Sequence, residues 1–594
     1  MKNDKGFILK FAGAVFLFIS ELLYLFIFSG FFSGSSVNYY FYYFGLVKPF
    51  FIFLPIVTWF FSSYTLFNII YNKYLYFKPV KTEVIKNLSG SGMPLWPAMS
   101  DFMLIVGELH NKDGNMAGKP EWLIIDKDGL YTGLLVLGAT GTGKTSACAY
   151  PFLDQLVSCK KNSVDERIGG LILDVKGDFW KTAVDIITRH GRLDDIIIIE
   201  PDSGYFYNPI HYPSLDAKVI AERLYSAMEQ VRSNDGRQDS YWKDKSINLL
   251  SHCLDLLRIC FDYVTLDGIY EIISDEKKLK DILLYAESVA SGKDLSAHDI
   301  DNLKIHIGYF TGSDYAGLDE RTKAIIKSES LRVCSDFVNP IYKNTFCVPK
   351  EKLNFPGFQE IINKGKIVML RMHESKYGLT GRAIGIMLKL DYFRTVLNRV
   401  YNAVTDKNIN MKRPVLFICD EYQNYVTSGE IESDSEFFAR CRQSRAVNIM
   451  LTQSYSSLKL KLGSEEKLNS LIGNIRSTIW LSLSDDYSRE KASKICDKEF
   501  KVKITENITE QDEGARFNAN IGGLLSDDNT ISQGTTKTIE KMPAFDTDDF
   551  ANLKLNQAIY RIYSDKIVKG PGIVYLHPFY RSKHKSYFDR EVSC

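Results

Sequence analysis

At 594 residues the chain exceeds one ordinary domain, and its length suggests about three or four. Lys and Arg (73) balance Asp and Glu (72) to a net charge of +1, which excludes a uniformly basic nucleic-acid coat and leaves only local patches or a channel. Ten scattered cysteines without a C-x-x-C pair and nine histidines without ligand spacing exclude a disulfide scaffold and a zinc site; they read as reduced, cytosolic thiols and structural imidazoles.

Two apolar stretches open the chain, at 7–32 and 46–70. Twenty-six helical residues span roughly 39 Å, enough for a hydrocarbon core of about 30 Å with tilt. Tyr39, Tyr40, Phe41, Tyr42 and Tyr43 between them suit an interfacial belt. The stretches are too long for a cleaved signal peptide, and two transmembrane helices are expected within residues 1–86. Lys2 and Lys5 precede the first, and Lys73, Lys78, Lys81 and Lys86 follow the second. The positive-inside rule then puts both termini in the cytoplasm. Glu21 falls inside the first span and reads as a helix–helix contact.

Residues 87–97 read as a linker, and Leu104 to Thr132 as a small β-rich lead-in. Leu134 to Leu137 is a buried strand, followed by Gly138, Ala139, Thr140, Gly141, Thr142, Gly143, Lys144 and Thr145, with Ser146 opening a helix. This fits G-x-x-x-x-G-K-[ST] in its strand–loop–helix setting. Backbone N–H groups and a helix N-terminus there can wrap a polyphosphate. The pattern points to ATP, with Lys144 on the β- and γ-phosphates and Thr145 on Mg²⁺.

Further strands are expected at Leu171–Asp174, Ile196–Ile199, Lys366–Met372, Val415–Cys419, Val447–Leu451 and Ser477–Leu483, mostly separated by helical patterns. That alternation predicts an α/β fold with a mainly parallel sheet. Between Pro213 and about Thr345 the pattern is helical throughout, at Asp216–Val231, Tyr241–Tyr263, Lys277–Ser291 and Arg321–Phe337. The expected organisation is therefore a membrane domain (1–86), the first part of a nucleotide-binding domain (87–212), an inserted all-α domain (213–345) and the second part with a short tail (346–594).

The strand Val415–Cys419 ends in Asp420 and Glu421. The first acid can hold Mg²⁺ through water, and the second can polarise the attacking water. Gln453, at the tip of the next strand, can contact the γ-phosphate or that water. Arg440, Arg442 and Arg445 precede it, and Arg442 is the first candidate for a residue entering a neighbour's site. Asp174 to Asp178 is a second charged cluster at a strand end, where the ligand crevice of a parallel sheet lies.

These features together resemble the TraG/TraD-type coupling proteins of bacterial type IV secretion and conjugation. The resemblance rests on the two spans, G-A-T-G-T-G-K-T, the D-x-K-G-[DE] element at Asp174 to Asp178, Asn208-Pro209-Ile210, Tyr241-Trp242, Asp420-Glu421 and Thr452-Gln453-Ser454. Val175 stands where the family often has Pro, and Tyr422 where Phe is common. The resemblance implies a RecA-like ATPase domain with an inserted all-α domain, using ATP and Mg²⁺. It also implies a homo-hexamer under the bacterial inner membrane that contacts secretion channel components. Such a ring recruits relaxase-bound DNA or secreted protein substrates. The alternatives are an FtsK-like double-stranded DNA pump and a docking receptor that uses nucleotide mainly to assemble. Arg232, Arg237, Lys243 and Lys245 are basic positions of the insertion, and Arg581, Lys583 and Lys585 form a short basic tail.

Overall fold

The computed structural model describes residues 102–577 apart from 116–120, 178, 233–239, 293–294, 430–431, 512–516, 519–522 and 525–529. The expected spans 7–32 and 46–70, Glu21 and the basic tail lie outside the described residues. Among the described residues no helix is long and apolar enough to cross a membrane.

In chain order the elements are β1 (Leu104–His110), β2 (Trp122–Ile125), α1 (Lys127–Leu130), β3 (Leu134–Leu137), a π-helical turn (Lys144–Ala149) continuing into α2 (Tyr150–Ser158), β4 (Gly169–Leu173), α3 (Phe179–Arg189) and β5 (Ile196–Ile199). Helices alone follow: α4 (Ala217–Arg232), α5 (Ser240–Phe261), α6 (Leu266–Ser274), α7 (Glu276–Ala290), α8 (Ala297–Thr311), α9 (Glu320–Cys334) and α10 (Pro340–Phe346). The α/β pattern resumes with α11 (Phe358–Lys364), β6 (Ile367–Leu370), α12 (Glu374–Thr405), β7 (Val415–Cys419), α13 (Asp434–Arg440), β8 (Ala446–Thr452), α14 (Tyr455–Leu462), α15 (Glu465–Gly473), β9 (Ser477–Trp480) and α16 (Asp486–Ile495). The chain closes with β10 (Lys498–Gln511), β11 (Phe517–Asn518), β12 (Gly523–Leu524), β13 (Thr530–Pro543), α17 (Thr547–Ala551), β14 (Gln557–Ser564) and β15 (Ile567–Leu576).

The main sheet has 11 strands in the order β2-β1-β15-β14-β9-β3-β8-β7-β4-β6-β5. From β9 to β5 all neighbours are parallel, whereas β14, β15, β1 and β2 add an antiparallel end. The sheet is therefore mixed. The hairpin β14–β15 carries its own turn and needs no crossover helix, so it can add antiparallel strands. β10 and β13 pair separately as a long ribbon.

β3, β4, β6, β7 and β8 are buried along their whole length. Helices cover both faces, so these strands read as continuous apolar runs. Leu135 and Leu137 join the core shared with the inserted helices, while Leu134 and Val136 pack on the opposite face with Phe152, Leu153 and Leu156 of α2. Side chains that alternate across the strand dictate that split.

Helices between β5 and β6 start where side chains cap them. Thr265, Asp275, Ser296 and Asp319 accept backbone N–H bonds at the starts of α6, α7, α8 and α9. Asn208 ties this region to the sheet: its Nδ2 donates to the Val264 carbonyl at 2.8 Å, and its Oδ1 accepts from the Ile210 N–H at 3.0 Å. The helix α12 breaks at Gly378, whose φ of 56° lies in the left-handed region.

Candidate active site

The C-terminal ends of β3, β4, β7 and β8 meet along one edge of the sheet. β3 delivers the glycine-rich loop, and β8 separates it from β7. Gly141 and Gly143 take φ of 83° and 98°, the conformations that let the loop fold back before the helix. A Cβ at Gly138 would meet the Leu481 Cβ at 2.9 Å. The Gly138 N–H donates to Thr452 and that of Ala139 to Ser482, at 3.3 and 2.9 Å, which moors the loop to the tips of β8 and the segment after β9. Thr140 and Gly141 form the exposed tip; the Thr142 hydroxyl donates to Ala139 at 2.8 Å, and that of Ser146 donates to Gly143 at 3.4 Å.

Lys144 is buried and folded onto its own loop, with Nζ donating to the Gly138 and Ala139 carbonyls at 2.6 and 3.2 Å. Burial lowers its pKa, and the Glu421 and Asp420 charges oppose that without cancelling it. The Thr145 hydroxyl donates to Asp420 Oδ2 at 2.9 Å across 275 positions of sequence. Asp420 is buried, and desolvation raises its pKa against the Thr145 bond that lowers it. Its other oxygen accepts the Glu421 N–H at 2.9 Å.

Glu421 turns the chain off β7 at φ 53°, an uncommon conformation for a residue with a side chain. Its carboxylate accepts from Gln423 Nε2 at 2.6 Å and from Gln453 Nε2 at 2.8 Å. It also pairs with the Lys176 ammonium. Burial works to raise the Glu421 pKa, but the Lys176 and Gln423 bonds and the charges of Lys176 and Lys144 hold it below the usual range. For Lys176 burial acts downward, and the Glu421 contact outweighs it to leave the pKa raised. Lys176 belongs to the charged cluster Asp174 to Asp178 expected at the crevice; its half-exposed side chain reaches the acid from the loop after β4.

Asp174 organises that loop. Its carboxylate accepts the N–H groups of Lys176 and Phe179, both at 2.9 Å, which caps the turn into α3. Burial pushes its pKa up to about 6 despite these bonds, with the Asp420 charge adding to the rise. Asp178 lies outside the described residues.

The structure brings Lys144, Thr145, Asp420, Glu421 and Gln453 together and leaves Arg442 apart. Arg442 is exposed in the turn before β8, at the end opposite Thr452. Seven strand residues put those ends about 20 Å apart. Arg440 pairs with Glu436 at 3.4 Å, and Arg445 donates to the Lys412 carbonyl at 2.9 Å. In the insertion, Lys243 pairs with Glu229 at 3.2 Å and Lys245 lies 5.8 Å from the Tyr241 ring centroid. Arg237 lies outside the described residues.

The donor set suits a magnesium-bound nucleoside polyphosphate. A hydroxyl and a carboxylate, both hard oxygen donors, already face one another at Thr145 and Asp420. Gly141 leaves the tip of the loop open, and the Lys144 ammonium lies over the loop's first carbonyls. One further polar group lies close by: both amide atoms of buried Asn556, beside Gly143, have no hydrogen-bond partner.

Residues 414–554 match a sequence-family model described as the TraM recognition site of TraD and TraG. The TraG/TraD-type resemblance holds over that segment, which carries Asp420, Glu421, Arg442 and Gln453. No curated protein sequence matches the chain. Among solved structures, the bacterial conjugative coupling protein TrwBdeltaN70 in an unbound form aligns at 16% identity and a TM-score of 0.48, covering 79% of this chain and 89% of that one. Plasmid coupling protein TrwB in complex with ADP and Mg²⁺ aligns at 15% identity and TM-score 0.48, covering 80% and 89%. VirB4 of Thermoanaerobacter pseudethanolicus aligns at 12% and 0.41, covering 80% and 95%.

Proposed function

We propose that this chain is a TraG/TraD-type coupling ATPase, the subunit that uses ATP hydrolysis to pass substrates to a type IV secretion or conjugation channel. The observation that carries the reading is the Thr145–Asp420–Glu421–Gln453 chain of contacts at the glycine-rich loop, inside and adjoining the segment that matches the TraD and TraG family model.

Thr145 and Asp420 would hold Mg²⁺, Asp420 through water, and Gly138 to Ser146 would hold ATP. The metal, when bound, neutralises charge on the phosphate oxygens. Lys144 would exchange its carbonyl partners for phosphate oxygens. Glu421, an acceptor fixed by two glutamine amides, is positioned to take a proton from water. Gln453 donates to that same carboxylate from the tip of β8, the strand whose other end follows the turn carrying Arg442. Arg442, remote from its own site, suits action on a neighbouring subunit. The reading extends to a homo-hexamer at the inner membrane, anchored by residues 1–86, with relaxase-bound DNA or secreted proteins as cargo.

The test is transfer in cells lacking the native chain. Complementation with the Lys144→Ala variant should leave transfer at background while the wild-type chain restores it. Transfer restored fully by Lys144→Ala would refute the ATP-driven role.

A further inference from the structure

Asn556 sits immediately before β14, which pairs antiparallel with β9, the neighbour of β3. That register brings the start of β14 to the edge of the sheet where the glycine-rich loop lies. Asn556 is 1% exposed, and neither Oδ1 nor Nδ2 has a hydrogen-bond partner. Native proteins rarely leave a whole buried carboxamide unanswered. A Cβ placed on Gly143 would lie 3.2 Å from Oδ1.

The backbone offers a plainer reason for an asparagine here. Its φ is 65°, in the left-handed region that Asn and Gly tolerate best. Its carbonyl also accepts the Leu576 N–H at 2.7 Å, closing the β14–β15 hairpin. Glycine would meet both requirements without burying an unpartnered amide. The backbone therefore accounts for the turn and leaves the carboxamide without a task.

The loop beside it is set for a rearrangement. Lys144 Nζ occupies the Gly138 and Ala139 carbonyls, which an incoming polyphosphate would vacate by drawing the ammonium to itself. The turn at Gly141 to Gly143 must then settle around the phosphates, and Asn556 is the buried amide within reach of it. Resting on the nucleotide-binding reading above, we propose that Asn556 is a positioning residue of the nucleotide site: when a nucleotide is seated, its carboxamide bonds the loop backbone at Gly143. That bond fixes the turn whose N–H groups face the phosphates and ties it to the C-terminal hairpin.

The test is Mg²⁺-dependent binding of N-methylanthraniloyl-ADP to the full-length protein, wild type against Asn556→Gly, with thermal unfolding in the absence of nucleotide as the control. Glycine keeps the left-handed backbone and removes only the amide. The expected result is about tenfold weaker binding with the nucleotide-free unfolding temperature held. ADP should also slow amide exchange across residues 557–576 in the wild type and not in the variant. Wild-type affinity in Asn556→Gly, with equal protection of the hairpin, would overturn the proposal. A wild-type protein that binds no ADP would instead overturn the nucleotide-binding reading on which it rests.

Discussion

Lys176 and Glu421 form an ion pair across 245 positions of sequence, joining the loop after β4 to the acid after β7. The lysine side chain is 51% exposed and the glutamate 4%. A half-exposed cation thus holds a buried carboxylate that also accepts from Gln423 and Gln453. Removing the cation frees Glu421 to accept a proton. Lys176→Ala should raise nucleic-acid-free ATP turnover several-fold. It should also move the acidic limb of the pH–rate profile to higher pH, because the lysine is among the groups holding that carboxyl low. Lys176→Arg should keep the wild-type profile. Steady-state rates between pH 4 and 8 check both.

Arg442 stands at the N-terminal end of β8, away from its own Gln453. Its loss should leave nucleotide affinity unchanged and reduce turnover by about 10³-fold. Mixing Arg442→Ala with Lys144→Ala subunits should recover part of the activity, since the first keeps an intact loop and the second an intact arginine. Equal inactivity of the mixture and its components would place the arginine elsewhere.

Behind the site lies a buried pair, Lys389 and Asp434, both 0% exposed and 2.5 Å apart. Asp434 also accepts from the Tyr422 hydroxyl and from the Thr427 hydroxyl and N–H, and Lys389 donates to the Tyr425 carbonyl at 2.6 Å. The network anchors the chain directly after Glu421. Lys389→Met leaves a buried carboxylate without its counter-charge and should cost about 3–5 kcal/mol in stability. Chemical denaturation of the purified protein measures this.

His252 and His306 face each other in the helical region, Nδ1 to Nδ1 at 2.8 Å, with Asp255 and Arg258 nearby. Burial pushes both pKa values down to about 4; the His306 ring lowers His252 further, and Arg258 does so for His306. A histidine whose pKa is depressed by folding binds protons more readily when unfolded. Its stabilisation is therefore present above pH 6.5 and is lost as pH falls from 6.5 towards 4. His306→Gln should flatten that acid-side loss of thermal stability.

Short-range patterns made part of this site legible. The glycine-rich loop, Asp420-Glu421 and Gln453 each announce themselves within a strand and its tip, where apolar runs stop at polar residues. The cluster Asp174 to Asp178 was legible as a strand-end group at the ligand crevice, but the pairing of its Lys176 with Glu421 was not, because that partner is remote in sequence. Asn556 carries no motif in the sequence, since its significance depends on which strand β14 pairs with. The strand count fell short for a related reason. Arg561 interrupts β14, and Lys569, Gly570 and Pro571 interrupt β15, so neither reads as the continuous apolar run that marked the parallel strands. The helices α6 and α8 fall between the expected helical stretches and are additional to them. The two expected membrane spans fall outside the described residues.

On the proposed reading, Glu421 activates water at a nucleotide site built by Gly138 to Ser146. ATP hydrolysis and ADP binding by full-length Glu421→Gln, measured side by side with wild type, test it most directly. Glutamine keeps the shape and removes the proton acceptor. Turnover should fall by about 10²–10⁴-fold while ADP binding is retained. Wild-type turnover in Glu421→Gln would contradict the account.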